Sequence, residues 1–124
     1  MSENNKATLT KANLAITQGD HEGFLSFCTE DTEWNFLGER TLKGKETVRE
    51  WMATAYVEPP KFKVTQLIAD GDFVAALGEI TLKDAEGKEA DHSYCDVWRF
   101  RDGKICELKA FVIKTSPDAG PESK

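Results

Sequence analysis

The stretch Ala90-Asp-His-Ser-Tyr-Cys-Asp-Val-Trp-Arg-Phe-Arg-Asp-Gly-Lys-Ile-Cys-Glu-Leu-Lys-Ala-Phe-Val-Ile-Lys114 decides the fold. It holds two runs rich in β-branched and aromatic residues around Asp102-Gly103, a tight-turn dipeptide, and so reads as a β-hairpin. Period-two alternation puts His92, Tyr94, Asp96, Trp98 and Phe100 on one face of the first strand, with Asp91, Ser93, Cys95, Val97 and Arg99 on the other. A row of His, Tyr, Asp and Trp is an odd choice for a plain hydrophobic core. It suits a polar-lined cavity or a surface that pairs with another subunit.

The neighbouring strand separates those uses, and the turn leaves two registers open. A two-residue Asp102-Gly103 loop sets Asp96 opposite Lys109 and Trp98 opposite Glu107, on a charged face. A three-residue Arg101-Asp102-Gly103 loop with a bulge sets Asp96 opposite Leu108 and Tyr94 opposite Ala110, in an apolar setting. A slip of one residue exchanges the faces, so the two registers exclude each other.

Upstream, Lys61 to Ala69 alternates with Phe62, Val64 and Ile68 on one parity, Asp70-Gly71 signals a turn, and Phe73 to Leu82 is β-rich. Lys83 to Glu89 is a longer polar turn. Four strands joined by hairpin-length connections make an antiparallel meander, and nothing alternates strand with long helix, which excludes a doubly wound parallel sheet. The first half is helical in texture. From Thr8 to Gln18, Leu9, Ala12 and Ile16 recur at helical spacing, with Leu14 and Ala15 widening the stripe. Gly19 caps that helix and Asp20 opens a short second one, whose buried side is Phe24, Leu25, Phe27 and Cys28. Thr32 to Leu37 reads as a strand, 38–44 as a loop, and Lys45 to Val57 as a third helix ended by Pro59-Pro60. The plan is α-α-β-α-β-β-β-β, an α+β domain over 7–114, with polar tails at 1–6 and 115–124 expected to be disordered.

Composition narrows the class. The chain has 124 residues, 16 basic and 22 acidic side chains and a net charge of −6, so nucleic acid and anionic membrane surfaces are poor partners. No apolar run is long enough to span a membrane, and the polar start lacks the apolar stretch of a signal peptide, pointing to the cytoplasm. The odd cysteine count (Cys28, Cys95, Cys106), with no CxxC pair, fits a reducing compartment. Two histidines more than seventy positions apart, without HxH or HExxH, give no metal site, and no phosphate-binding loop or nucleophile elbow is present. No cofactor is expected.

Four motifs in order carry a resemblance: the Gly19-Asp20 helix junction, Glu30-Asp-Thr-Glu-Trp34, Leu42-Lys-Gly44 leading into a helix, and Asp96-Val-Trp-Arg-Phe-Arg-Asp-Gly-Lys-Ile105. Over roughly 7–113 the chain resembles the SnoaL-like polyketide cyclases, ketosteroid isomerases and nuclear transport factor 2. The resemblance implies three helices on a strongly curved antiparallel sheet, a cone with an internal cavity, and a homodimer through the outer sheet face, where Phe111, Ile113 and Val97 offer apolar area. It favours the register that turns Asp96 inward, since Asp96 falls where ketosteroid isomerases keep a cavity aspartic acid. A carboxyl in an apolar cavity stays protonated and can donate to a ligand carbonyl, a device for which ketosteroid isomerase is the established example.

The remaining isomerase machinery is not matched: the general-base position falls at Phe36 and the first-helix tyrosine at Ala12, while Phe111-Val-Ile113 stands where the SnoaL-like branch often carries an acid. An Asp-Arg-Asp epoxide-hydrolase arrangement conflicts with Arg99, which lies on the parity opposite Asp96. Candidate catalytic residues are therefore Asp96 with Tyr94 or His92, and candidate ligand-wall residues are Trp34, Phe36, Trp51, Met52, Trp98, Leu108 and Ala110. His21 reads as solvent-facing. The expected ligand is a small hydrophobic molecule, handled by a cofactor-free isomerase or cyclase, or bound without turnover by a binding or dimerisation module.

Overall fold

A computed structural model of the chain describes residues 2–83 and 86–115. Helix α1 (Ser2–Thr17), α2 (His21–Leu25), β1 (Cys28–Phe36), β2 (Arg40–Lys43), α3 (Lys45–Ala55), β3 (Lys61–Asp70), β4 (Phe73–Lys83), β5 (Glu89–Arg101) and β6 (Lys104–Lys114) follow in order. The six strands form one curled, unclosed sheet in the order β2-β1-β6-β5-β4-β3. α1 packs on β3 and β4, α3 on β1 and β2, and α2 touches both helices. The α+β cone is the architecture expected.

The helices follow their apolar periodicity. On α1, Leu9, Ala12 and Ile16 are buried, and the stripe runs back a turn to buried Asn5. The helix therefore reaches Ser2, through the 2–6 segment expected to be a loose tail; residues 116–124 of the expected C-terminal tail lie outside those described. Leu14 does not widen the stripe: it is 56 % exposed. Gly19 takes φ +77° and Asp20 N–H donates to the Ala15 carbonyl, closing α1. The Asp20 carboxylate then caps α2 through Gly23 N–H at 2.9 Å. Cys28 belongs to β1 rather than α2.

The hairpin takes neither of the two registers open to the sequence. Asp102 and Gly103 both have positive φ (+55° and +80°), giving a two-residue turn with Arg101 opposite Lys104. The register then shifts between Arg99 and Phe100, so that Arg99 pairs with Glu107 and Cys106 is the extra residue on β6. A two-residue turn and a bulge together set Asp96 opposite Ala110, Trp98 opposite Leu108 and Tyr94 opposite Val112. Asp96 faces the apolar side, as in the three-residue reading, but its partner is two positions further along β6. Lys109 sits outside, level with Val97.

A second bulge corrects the reading of β3. Val64 pairs with Gly78 and Gln66 with Leu77, leaving Thr65 unmatched with its hydroxyl on the Leu77 carbonyl. Parity flips there, so Leu67 replaces Ile68 on the inner side and Ile68 is 50 % exposed. Two further departures concern the first half. Part of the stretch read as a loop, 38–44, forms β2 on the edge of β1, and β1 runs parallel to β6 while every other pairing is antiparallel. The positive φ of Gly103 makes a test: Gly103→Ala should cost about 1 kcal/mol, read from the urea midpoint, and an unchanged midpoint would refute the turn assignment.

Candidate functional site

Inner-face residues line up in tiers because the pleat repeats every second residue. At the narrow end stand Val74, Trp98, Leu108 and Trp34. Next come Ala76, Asp96, Ala110 and Phe36, then Val64, Gly78, Tyr94 and Val112, and last Phe62, Ile80, His92 and Lys114. In the second tier Asp96 is flanked by Ala76 and Ala110, so space opens where bulk is missing. The result is a cavity of about 540 Å³, roofed by Asn13 and Ile16 of α1 and by Trp51, Met52, Ala55 and Tyr56 at the end of α3. Cavities of this size suit small organic ligands.

Aromatic rings close the narrow end. Trp34 meets Trp98 (5.6 Å, 88°), Phe24 (5.6 Å, 76°), Trp51 (6.1 Å, 68°) and Phe36 (6.4 Å, 72°) edge-on. Edge-to-face contacts place positive ring edges on negative faces. The Trp34 indole N–H is fully buried without a hydrogen-bond partner among the described residues.

Asp96 stands between Ala76 and Ala110, with no hydrogen bond or ion pair to any described residue. Its remaining accessible surface borders the cavity, and burial pushes its carboxyl up to about 7. Tyr94, two residues along, is pushed up to about 12 by burial and then by the Asp96 charge. Tyr56 is raised by burial first, then by Asp96 and Tyr94. Three hydroxyl-bearing groups thus converge at the middle of the cavity, and no hydrogen bond joins them to one another.

Their placement has local causes. Gly78 lies directly opposite Tyr94, and a Cβ there would sit 2.6 Å from the tyrosine hydroxyl and against the Lys63 carbonyl. Only glycine lets the Tyr94 ring lie across the strand. Tyr56 ends α3, its N–H on the Met52 carbonyl and its ring 5.0 Å from Trp51. His21 holds that turn from α2: its Nε2 donates to the Tyr56 carbonyl at 3.0 Å, so the ring is half-buried and not solvent-facing as expected. Arg49 ties α3 to α2 through Glu22 at 2.7 and 3.1 Å, and also pairs with Glu46.

All ten candidate residues, from Trp34 and Phe36 through Trp51, Met52, His92, Tyr94, Asp96 and Trp98 to Leu108 and Ala110, border this one cavity. Asn13, Glu39, Tyr56 and Lys114 also border it and were not singled out. Tyr56 had a signal in the chain, an aromatic hydroxyl just before Pro59-Pro60, but nothing that tied it to a strand forty residues on. Among the described residues no cluster of His, Cys, Asp and Glu could hold a metal ion, and no helix is long and apolar enough to cross a membrane.

Two outcomes test this geometry. Between pH 4 and 7 the folded chain holds a proton on Asp96 that the unfolded chain, with an ordinary carboxyl near 3.8, has released. That stabilisation is fully present below pH 4, declines as pH rises to about 7 and is gone above it. Asp96→Asn should remove the decline, gaining on wild type by roughly 2–4 kcal/mol between pH 4 and pH 8 in chemical denaturation; parallel curves would refute a buried carboxyl. Gly78→Ala should destabilise by roughly 1–3 kcal/mol and alter the near-ultraviolet tyrosine signal as Tyr94 is displaced; unchanged spectra would refute the close approach.

Residues 10–108 match the family model of the SnoaL-like domain. No curated protein sequence matches the chain. Among solved structures, an NTF2-like protein of unknown function from Cytophaga hutchinsonii is 27 % identical with a TM-score of 0.72, over 86 % of this chain and 97 % of that one. A candidate ketosteroid isomerase from Kribbella flavida is 20 % identical with a TM-score of 0.78, over 98 % and 87 % of the two chains. TerC, co-crystallised with polyporic acid, is 22 % identical with a TM-score of 0.75, over 87 % and 90 %. With a family match across most of its length and a curled sheet around a lined cavity, this chain belongs to the SnoaL-like domain family.

Proposed function

We propose that the chain binds a small hydrophobic carbonyl compound in its cavity, with Asp96 in its protonated form donating a hydrogen bond to the carbonyl oxygen. The observation that carries this reading is the Asp96 carboxyl itself, set among Ala76, Ala110 and aromatic walls with no cation paired to it among the described residues. Burial without a partner keeps the carboxyl neutral, and a neutral carboxyl is a strong donor where water is scarce. Tyr94 and Tyr56 supply further donors to the same region, and the aromatic walls supply apolar contact.

The same donor supports cofactor-free isomerisation or cyclisation. Negative charge developing on the carbonyl oxygen during proton abstraction next to it is stabilised by the Asp96 proton. A base must take that proton. Phe36 occupies the position where the resemblance puts one, and Phe36 accepts nothing. His92 is the titratable acceptor on the same face, four residues and roughly 13 Å of strand from Asp96. Turnover therefore needs a ligand whose acidic C–H lies at His92 and is conjugated through to the carbonyl at Asp96, so that the electron pair released there reaches the oxygen; other carbonyl compounds are bound without reaction.

We further propose a homodimer through the outer sheet face. Rows Ile68–Ala75–Val97 and Leu77–Cys95–Phe111, extended by Ile113, make a continuous apolar strip on the side away from the cavity. Phe111 and Ile113 are 44 % and 69 % exposed. A monomer at micromolar concentration in sedimentation equilibrium would refute it.

The binding reading is tested by thermal shift with small hydrophobic ketones and lactones across pH. Wild type should show a rise in Tm that fades above pH 7, as Asp96 loses its proton. Asp96→Asn keeps an amide donor and should bind independently of pH, whereas Asp96→Leu should bind about tenfold more weakly. Equal binding by Asp96→Leu and wild type, or no shift with any compound, would overturn the proposal.

A further inference from the structure

The far end of the cavity carries a second recognition element of opposite polarity. His92 lies in the outermost tier, with Phe62 and Ile80 on one side and Lys114 on the other. Its Nδ1 sits 3.0 Å from the carbonyl oxygen of Ala90 on its own strand. A carbonyl only accepts, so Nδ1 carries the proton and donates. In the neutral ring Nε2 is then an acceptor, and among the described residues none donates to it. The ring is half-buried at the cavity's edge, fixed from behind by its own backbone.

We infer that the ligand is elongated and bifunctional: a hydrogen-bond acceptor at its inner end for Asp96, and a hydroxyl or other donor at its outer end for His92 Nε2. The inference rests on the reading of Asp96 above and adds the chemistry of the other end. Between the two anchors the cavity is lined by Tyr94 and Val112 on the sheet, with Leu37 and Tyr56 also on its wall, a mostly apolar passage that accepts a flat or rod-like apolar body. A donor at the inner end and an acceptor at the outer end also fix the direction in which such a ligand enters, because a molecule inserted the wrong way round meets its own kind of group at both anchors.

A pair of probes tests this by titration calorimetry at pH 7: 4-acetylbiphenyl, with a carbonyl alone, and 4-acetyl-4′-hydroxybiphenyl, with a phenolic hydroxyl at the opposite end. In wild type the hydroxyl should improve affinity by about five- to tenfold. His92→Phe keeps an aromatic ring in place, so it should abolish that gain and leave 4-acetylbiphenyl binding within about twofold of wild type. Asp96→Leu should weaken both probes by a common factor, with the gain intact. Lys114→Met should also preserve the gain; its loss there, with the gain retained in His92→Phe, would assign the outer end to a phenolate on Lys114 and overturn the inference. Equal affinity of the two probes for wild type would overturn it while leaving the carbonyl reading standing. Failure of both probes to bind would overturn both.

Discussion

One surplus residue on β6, Cys106, governs what the sheet presents to its two sides. The Asp102-Gly103 turn by itself would pair Asp96 with Lys109 and place a row of His, Tyr, Asp and Trp on a charged surface. The bulge after the turn moves every later pair by one position, and because the pleat has a period of two, that single step exchanges the faces. Asp96, Tyr94 and His92 turn toward the helices, while Val97, Cys95, Phe111 and Lys109 turn outward. The cavity's polar groups and the apolar outer strip are therefore two results of one local irregularity. A protein that lost the bulge while keeping its composition would lose both.

The interior is organised by where bulk is withheld. Closely packed cores leave few voids, and an unfilled volume ordinarily costs stability. Here the rings around Trp34 fill the narrow end, while Ala76, Ala110 and Gly78 leave space beside Asp96 and Tyr94. Gly78 contributes differently, since its missing side chain makes room for the Tyr94 ring and hydroxyl. The buried carboxyl adds a further cost at neutral pH. Stability is traded against an open, chemically directed interior, as is common at functional sites.

Much of this was readable from the residues. The helical stripe Leu9, Ala12 and Ile16, the Gly19-Asp20 junction and the strand-turn-strand pattern around Asp102-Gly103 are local signals and formed the expected elements. The candidates on β5 share a face by alternation alone, whereas Trp51 and Met52 reach the cavity from α3 and Trp34, Phe36, Leu108 and Ala110 through the pairing of β1 and β6. The face itself was not decided by local chemistry, because Cys106 has no property that marks it as a bulge; Thr65 is equally silent, which is why Ile68 was placed on the wrong side. The parallel pairing of β1 with β6, the short β2 and the meeting of Tyr56 and Asp96 at one cavity depend on contacts between distant segments. His21 misled for the same reason: its partner, the Tyr56 carbonyl, is thirty-five positions away.

The parallel pairing of β1 with β6 also bears on how the chain reaches this state. Trp34 is matched to Leu108, seventy-four positions later, with β2, α3 and β3–β5 between them. β1 can complete its ladder only after β6 has been made, so the β3–β6 meander, whose pairings are all local hairpins, is free to assemble first. Closing a loop that long carries its entropic cost before the contacts that repay it exist, which makes attachment of the first strand the slow, committing event. Until then Trp34, Phe24 and the inner face of α3 have no completed sheet to rest on, and a nascent chain halted before β6 is an exposed, adhesive surface.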